Sequence, residues 1–259
     1  MNKMKKLVLV VVALSCVPGR CVPGADTSHP APTPVLVELF TSEGCSSCPP
    51  ADALLQQMDR SQPIAGAQII VLSEHVDYWD HIGWKDPYSS RLLTERQGSY
   101  AAALGGDTVY TPQLIVDGRG ELHVGGSTEV LQKAAAGAKI PVQIGSATLQ
   151  ASPAPAIRAH VEADGASSRH DAEIFAVCAL DHAESQVLRG ENSGRHLQHV
   201  AVVQSLVKVG RLEKGKTFSR DVDLPLKPGT NPANLRLIVF VQEAGPGRIL
   251  GAALRKIGN

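Results

Sequence analysis

Two cysteines, Cys45 and Cys48, stand two residues apart in Gly44-Cys45-Ser46-Ser47-Cys48-Pro49-Pro50, directly after the apolar run Val35-Leu36-Val37-Glu38-Leu39-Phe40. A thiolate serves disulfide exchange when its proton is easily lost and a second thiol lies within reach to resolve the mixed disulfide. A Cys-x-x-Cys pair at a strand-to-helix turn meets both needs. As a permanent staple it does little: loop-closure entropy gives about 1.9 kcal/mol for a four-residue ring, against about 3 for fifteen residues. A zinc site would need four ligands, and only Cys178 and histidines remain to complete it. Redox pair, inert disulfide and metal site therefore all stay open on the residues alone.

The elements around the pair must present it. Residues 35–41 read as a buried parallel strand, and Ala51, Leu54, Leu55 and Met58 as the apolar face of the next helix. Proline fits only a helix's first turn, so Pro49-Pro50 puts the regular helix start near Pro49 and leaves Cys45 in a loop. Residues 68–73 form a second buried strand. Asp86-Pro87 reads as the start of a helix that runs through Leu92, Arg96 and Tyr100 to Gly105-Gly106. Asp117-Gly118-Arg119-Gly120 is a hairpin signal between two short strands, and Ser127 opens a last helix. The order is β-α-β-α-β-β-α over residues 35–141.

From residue 142 the pattern changes to short alternating strands. Residues 156–162 and 218–224 alternate strictly, and 235–243 and 248–256 are joined across Ala244-Gly245-Pro246-Gly247. An all-β, sandwich-like domain over 142–259 is expected. The fold class is thus α/β followed by all-β. Cys178 shares a strand face with Ile174, Ala176 and Leu180 and reads as a buried, inert thiol. His196 and His199 read as surface residues.

The chain has 259 residues with 25 basic and 25 acidic side chains, so no basic field draws nucleic acid. Residues 1–24 carry Lys3, Lys5 and Lys6, an apolar stretch from Leu7 to Cys16, then small and helix-breaking residues. That is a signal-peptide pattern, too short to span a bilayer. Residues 25–34 form a leader, and the expected location is periplasmic or extracellular, off the membrane after cleavage. A lipid anchor at Cys16 is disfavoured, because Leu14 lies one place too close for a lipobox. Export would allow the Cys45–Cys48 pair to cycle or persist as a disulfide.

A right-handed crossover makes the first two strands parallel, so both end at one rim of the sheet. Cys45 and Cys48 follow the first strand there. Residues 74–84, with His75, Asp77, Tyr78, Trp79, His81 and Trp84, follow the second. The antiparallel strand after Tyr110-Thr111-Pro112 begins at the same rim, where open α/β sheets bind ligands. Six of the ten aromatic residues fall between Tyr78 and Tyr110. They suit a substrate-contacting surface or a local core patch.

These residues resemble the thioredoxin superfamily, through Cys45-x-x-Cys48 and Thr111-Pro112 before a hairpin. More narrowly the chain resembles the secreted DUF1223 family. The shared stretches are Val37 to Pro50, His75 to Asp80, Gly83 to Pro87, Tyr110 to Gln113, Val116 to Gly118, Arg189 to Gly194 and Phe240 to Glu243. The resemblance implies a thioredoxin-like domain over 35–141. Within it Cys45 would attack and Cys48 resolve, with Pro112 in the cis form and Thr111 pairing with a bound peptide. Glu38 would stand for the buried acid beneath the thiols, although it sits one residue further from Cys45 than the superfamily spacing. Tyr78, Trp79 and Trp84 would hold the partner, and His75 would join Glu38 as a proton relay. The expected activity is thiol–disulfide exchange with protein or small-molecule thiols, without cofactor or metal. The alternative is a binding module, or a metal-binding protein, that kept the fold and lost the turnover.

Overall fold

The apolar run at 35–40 becomes β1 (Thr33–Thr41), buried along its last seven residues in the computed structural model. That structure describes residues 31–150, 154–166 and 168–258, so the signal-peptide and Cys16 expectations lie outside the described residues. Val35, Val37 and Leu39 point to one core, shared with Ala51, Leu55 and Met58 of α1 (Pro49–Ser61). Leu36 points to a second core on the other face. β2 (Ala67–His75) runs parallel to β1, with Thr41 opposite His75, so both strands end at one rim.

The second helix, α2 (Arg91–Ala103), begins at Arg91 rather than at Pro87. Asp86 is not a helix cap, because its carboxylate is committed to the Glu43 and Tyr88 amides and to His75. Ser90 takes the cap position in an extended conformation. β3 (Gln113–Val116) pairs antiparallel to β1, with Phe40 opposite Gln113, and turns into β4 (Gly120–Leu122). The Arg119 amide closes the turn onto the Val116 carbonyl at 3.1 Å, and its two central residues are left-handed, Asp117 at φ 50° and Gly118 at φ 70°, a conformation that favours Asp-Gly. A Cβ at Gly118 would also collide with the Gly247 carbonyl. α3 (Glu129–Ala135) completes the first half.

The second half supplies β5 (Val142–Gln150), β6 (Ala156–Asp164), β7 (Ala172–Gln186) and β8 (His196–Leu212). β9 (Thr217–Pro225), β10 (Leu235–Glu243) and β11 (Ile249–Lys256) follow. The expected break at 141/142 does not divide the sheet. Eight strands form one mixed sheet in the order β11-β10-β7-β8-β2-β1-β3-β4, and β5-β6-β9 form a second. β8 joins β2 by parallel pairing at Ser73 and Val202, covering an edge that β2 would otherwise leave unpaired. From Pro32 on the chain is one compact unit.

The three-stranded sheet packs face to face on β7 and β10, with Ile157, Val161 and Leu224 against Ile174, Leu237 and Val239. Cys178 is buried in this core. The large sheet also curls until β11 meets the β3–β4 turn, where the Ile249 amide donates to the Asp117 carbonyl at 2.9 Å. Inside the curl, Leu36, Ile70 and Leu72 pack with Ile238, Phe240 and Ile249.

One consequence governs the site. The far ends of β7 and β8 pair only with each other, from His182–Val200 to Gln186–His196. They form an arm that carries the 187–195 loop to the rim where β1 ends.

Candidate functional site at the end of β1

β1 leaves the sheet at Thr41 and turns at once. The Cys45 amide donates to the Ser42 carbonyl and the Cys48 amide to the Cys45 carbonyl, 3.2 Å each. Cys45 and Cys48 form a disulfide with their Cα atoms 5.4 Å apart. Cys48 caps α1 in a helical conformation, and Pro49 is the first helical residue. The intervening Ser46 and Ser47 are exposed. Both cysteines are 0% exposed, so neither sulfur is open to an incoming thiol in this arrangement.

The arm from the second half makes the cover. Asn192 is fully buried, and its Nδ2 donates to the Glu43 and Cys45 carbonyls at 2.9 Å each. The Ser46 amide donates to Glu191 Oε2 at 3.0 Å. Gly190 lies against Trp84, where a Cβ would come within 3.2 Å of the Trp84 Cβ. Trp79 closes the other side, 3.1 Å from where a Cβ on Gly44 would sit. These contacts hold the backbone of the turn from both flanks.

Beside the disulfide lies a buried set of ionisable groups. Asp52 is four residues beyond Cys48 on α1, a spacing that stacks the two side chains on one helix face. Thr41 Oγ1 donates to Asp52 Oδ2 at 3.2 Å. His199 enters from β8, with Nδ1 3.4 Å from Asp52 Oδ1 and Nε2 3.4 Å from Glu43 Oε1. These are ion-pair distances without hydrogen-bond alignment, and both ring nitrogens lack a hydrogen-bond partner. Burial alone would push the His199 imidazole down. Asp52 and Glu43 outweigh it and hold the group up at about 10, so it is a cation at neutral pH.

Trp84 Nε1 donates to Glu43 Oε2 at 2.7 Å, fixing the carboxylate that faces His199. The His199 ring meets His75 edge-on, with centroids 4.7 Å apart. His75 in turn bonds Asp86 through Nδ1 at 2.7 Å. Burial would raise the Asp86 carboxyl, but His75 and the Glu43 and Tyr88 amides prevail and hold it below its usual range.

The Thr111–Pro112 bond is cis and precedes β3 at this same rim. Trp79 Nε1 donates to Thr111 Oγ1 at 2.8 Å, so one indole bridges the Gly44–Cys45 turn and the proline segment. Tyr78 bonds Gln97 at 3.2 Å, and both aromatics pack half-buried against Phe40, Val76 and Ile115.

The family model described as "Protein of unknown function (DUF1223)" matches residues 36–242. The chain belongs to that family. A crystal structure of an Agrobacterium tumefaciens protein is 27% identical with a TM-score of 0.68, covering 89% of this chain and 97% of that one. HBP35 of Porphyromonas gingivalis is 14% identical with a TM-score of 0.63, covering 87% of this chain and 76% of that one, a likeness of fold alone. No curated protein matches the chain.

In this DUF1223 protein Glu38 does not lie beneath the cysteines. Side chains alternate across a strand, so one extra residue of spacing moves an acid to the opposite face. Glu38 shares its face with Leu36 and Phe40, away from α1. Its carboxylate accepts from Arg96 Nε at 2.7 Å and from the Tyr100 hydroxyl at 2.6 Å. Arg96 and Gln242 extend this network to β10. His75 does lie in the charged set, reached through Asp86 and His199. The residues that sequence reasoning missed are Glu43, Asp52, Asn192 and His199, which is buried in this DUF1223 protein rather than a surface group. Asp52 was detectable from its spacing to Cys48, and Asn192 stood within the Arg189–Gly194 stretch. Nothing local marked His199. Among the described residues no group of three or more His, Cys, Asp or Glu is arranged to hold a metal ion.

Glu74 lies next to the Glu38 pair, fully buried, with neither carboxylate oxygen hydrogen-bonded. Burial first, and then the Glu38 charge, push its carboxyl well above the usual range, with Arg96 only partly opposing. The folded protein therefore keeps a proton that the unfolded chain loses near pH 4.5. Stability falls as pH rises above that value, by at most about 1.4 kcal/mol per pH unit. Glu74→Gln should flatten that slope and be stabilising at pH 8 relative to wild type, with little difference at pH 4. Urea midpoints at the two pH values check it, and parallel pH profiles for both proteins would contradict it.

Proposed function

We propose that this chain is an exported, thioredoxin-like thiol–disulfide exchange protein whose Cys45–Cys48 pair works behind a movable cover. The observation that carries the reading is a disulfide at the start of α1 with Thr111–Pro112 at the same rim. A four-residue ring adds so little stability that a purely structural reason for it is weak.

In the reduced state the Cys45 thiolate attacks a substrate disulfide. A Cys45–substrate bond forms, the substrate's own S–S bond breaks, and the departing half carries the electron pair away as a thiolate. The Cys48 sulfur then attacks Cys45, loses its proton and releases the second substrate thiolate. The reverse sequence oxidises a dithiol. Thr111, Tyr78, Trp79 and Trp84 border the substrate position, and their half-burial assigns them as much to holding the turn as to contacting a partner. Local opening of a loop is an ordinary low-energy event, so full burial at rest is compatible with exchange.

Complete burial of both sulfurs favours a second reading, a binding module with a permanent disulfide. Insulin reduction with dithiothreitol as donor separates the two. Exchange predicts turnover by the wild type that Cys45→Ser abolishes. Equal rates for both proteins at the uncatalysed level would leave the binding module.

A further inference from the structure

Two cavities flank α1 on its β8 side. One of about 450 Å³ is lined by Pro49, Asp52, Gln56 and His199, and one of about 460 Å³ by Gln56, Asp59, Gln198 and His199. Gln56 Nε2 donates to the Gln198 carbonyl at 2.7 Å, bridging the groove between α1 and β8. His199 belongs to both linings, yet its side chain is 1% exposed. A buried cation thus stands at the inner wall of a groove, paired with the Asp52 carboxylate that lies one helical turn beyond the resolving cysteine.

The charges around it are few. Asp52 faces it from α1 and Glu43 from the turn after β1. His75 meets it from the end of β2 with Asp86 behind, and the Tyr88 ring lies 6.1 Å away. Across the larger cavity stand Asp59, Arg60, His182 and Glu184. Without the imidazolium, the Asp52 and Glu43 carboxylates beside the Cys45–Cys48 turn would be left, among the described residues, with no cation paired to them.

We infer that His199 is a positioning residue for the exchange, a cation lent by the second half of the chain that lets Cys48 carry a thiolate beside Asp52 and Glu43. This rests on the exchange reading above. In the resolving step Cys48 gives up its proton to solvent once the cover is open, and the Cys48 electron pair forms the Cys45–Cys48 bond. The Cys45–substrate bond breaks, and the substrate sulfur departs with that bond's electrons as a thiolate. His199 neither forms nor breaks a bond; it offsets negative charge in a site shielded from bulk water, where unscreened charge interactions are strongest.

The test is the pH profile of Cys48 alkylation by iodoacetamide in Cys45→Ser, read by peptide mass spectrometry, alone and with His199→Gln. Cys178 does not interfere, since burial pushes its thiol up to about 12. The inference expects His199→Gln to cut the reactive fraction of Cys48 at pH 7 at least tenfold. Linkage is reciprocal, so the His199 ring protons of the unmutated chain should titrate at different pH in the disulfide and dithiol states. That NMR measurement decides the matter if His199→Gln does not fold. Superimposable alkylation profiles, or a His199 titration indifferent to redox state, would overturn the inference. A shifted Cys48 profile in a chain whose wild type fails to reduce insulin would remove the exchange function and leave this electrostatic link standing.

Discussion

Asn192→Ala is expected to accelerate reduction of the Cys45–Cys48 disulfide by a small dithiol at least tenfold. The side chain is fully buried and its amide holds two carbonyls of the turn, those of Glu43 and Cys45. Deleting it leaves the Glu43 carbonyl buried without a donor while the arm is closed, at about 1–3 kcal/mol, and leaves the Cys45 carbonyl with the Cys48 amide alone. In the open arm those carbonyls reach water, so the substitution destabilises closure specifically. Each 1.4 kcal/mol taken from the opening free energy raises the open population tenfold. The rate of dithiothreitol reduction, followed by quenching and alkylation, measures it directly. Equal rates for variant and wild type would mean that Asn192 does not gate the pair.

Arg236→Leu is expected to cost about 3–5 kcal/mol of stability, roughly 10 °C in the melting temperature of a unit this size. The Arg236 side chain is 1% exposed on β10. Its guanidinium forks onto Asp59 of α1 at 2.9 and 3.1 Å, and its Nε donates to Asp181 of β7 at 2.7 Å. One cation therefore ties the first helix to the sheet strands of the second half. Leucine fills part of the volume and leaves the largely buried Asp59 carboxylate without its cation, while Asp181 retains only Lys256 at the strand end. Thermal unfolding near neutral pH checks the size of the loss. A change below about 1 kcal/mol would show that the two halves are held by their apolar cores alone.

The same connectedness explains what the sequence disclosed and what it withheld. β1 and β2 were legible because apolar residues fill both faces of a short run, and the hairpin because Asp117-Gly118 needs a left-handed turn. The rim follows from crossover handedness, which places Cys45, His75 and Pro112 together on sequence grounds alone. The joined sheet was not legible. Residues 235–242 announce a strand buried on both faces, yet periodicity carries no information about which edge such a strand meets. Val200 to Val209 was visible as a strand, but its extension to His196 and its single bridge to Ser73 are tertiary facts. His199 illustrates the limit at the site. A histidine in a polar stretch looks solvated until α1 and the Glu43 turn are seen to enclose it. Glu38 shows the converse, a local count that did carry the answer: one surplus residue of spacing signalled the opposite face of the sheet.

The burial of both sulfurs makes access the question on which everything else depends. Wild-type protein, held in native buffer with millimolar dithiothreitol and no denaturant, should yield alkylatable thiols at Cys45 and Cys48 while its circular dichroism stays unchanged. A disulfide that yields only after guanidinium unfolds the chain would contradict the account.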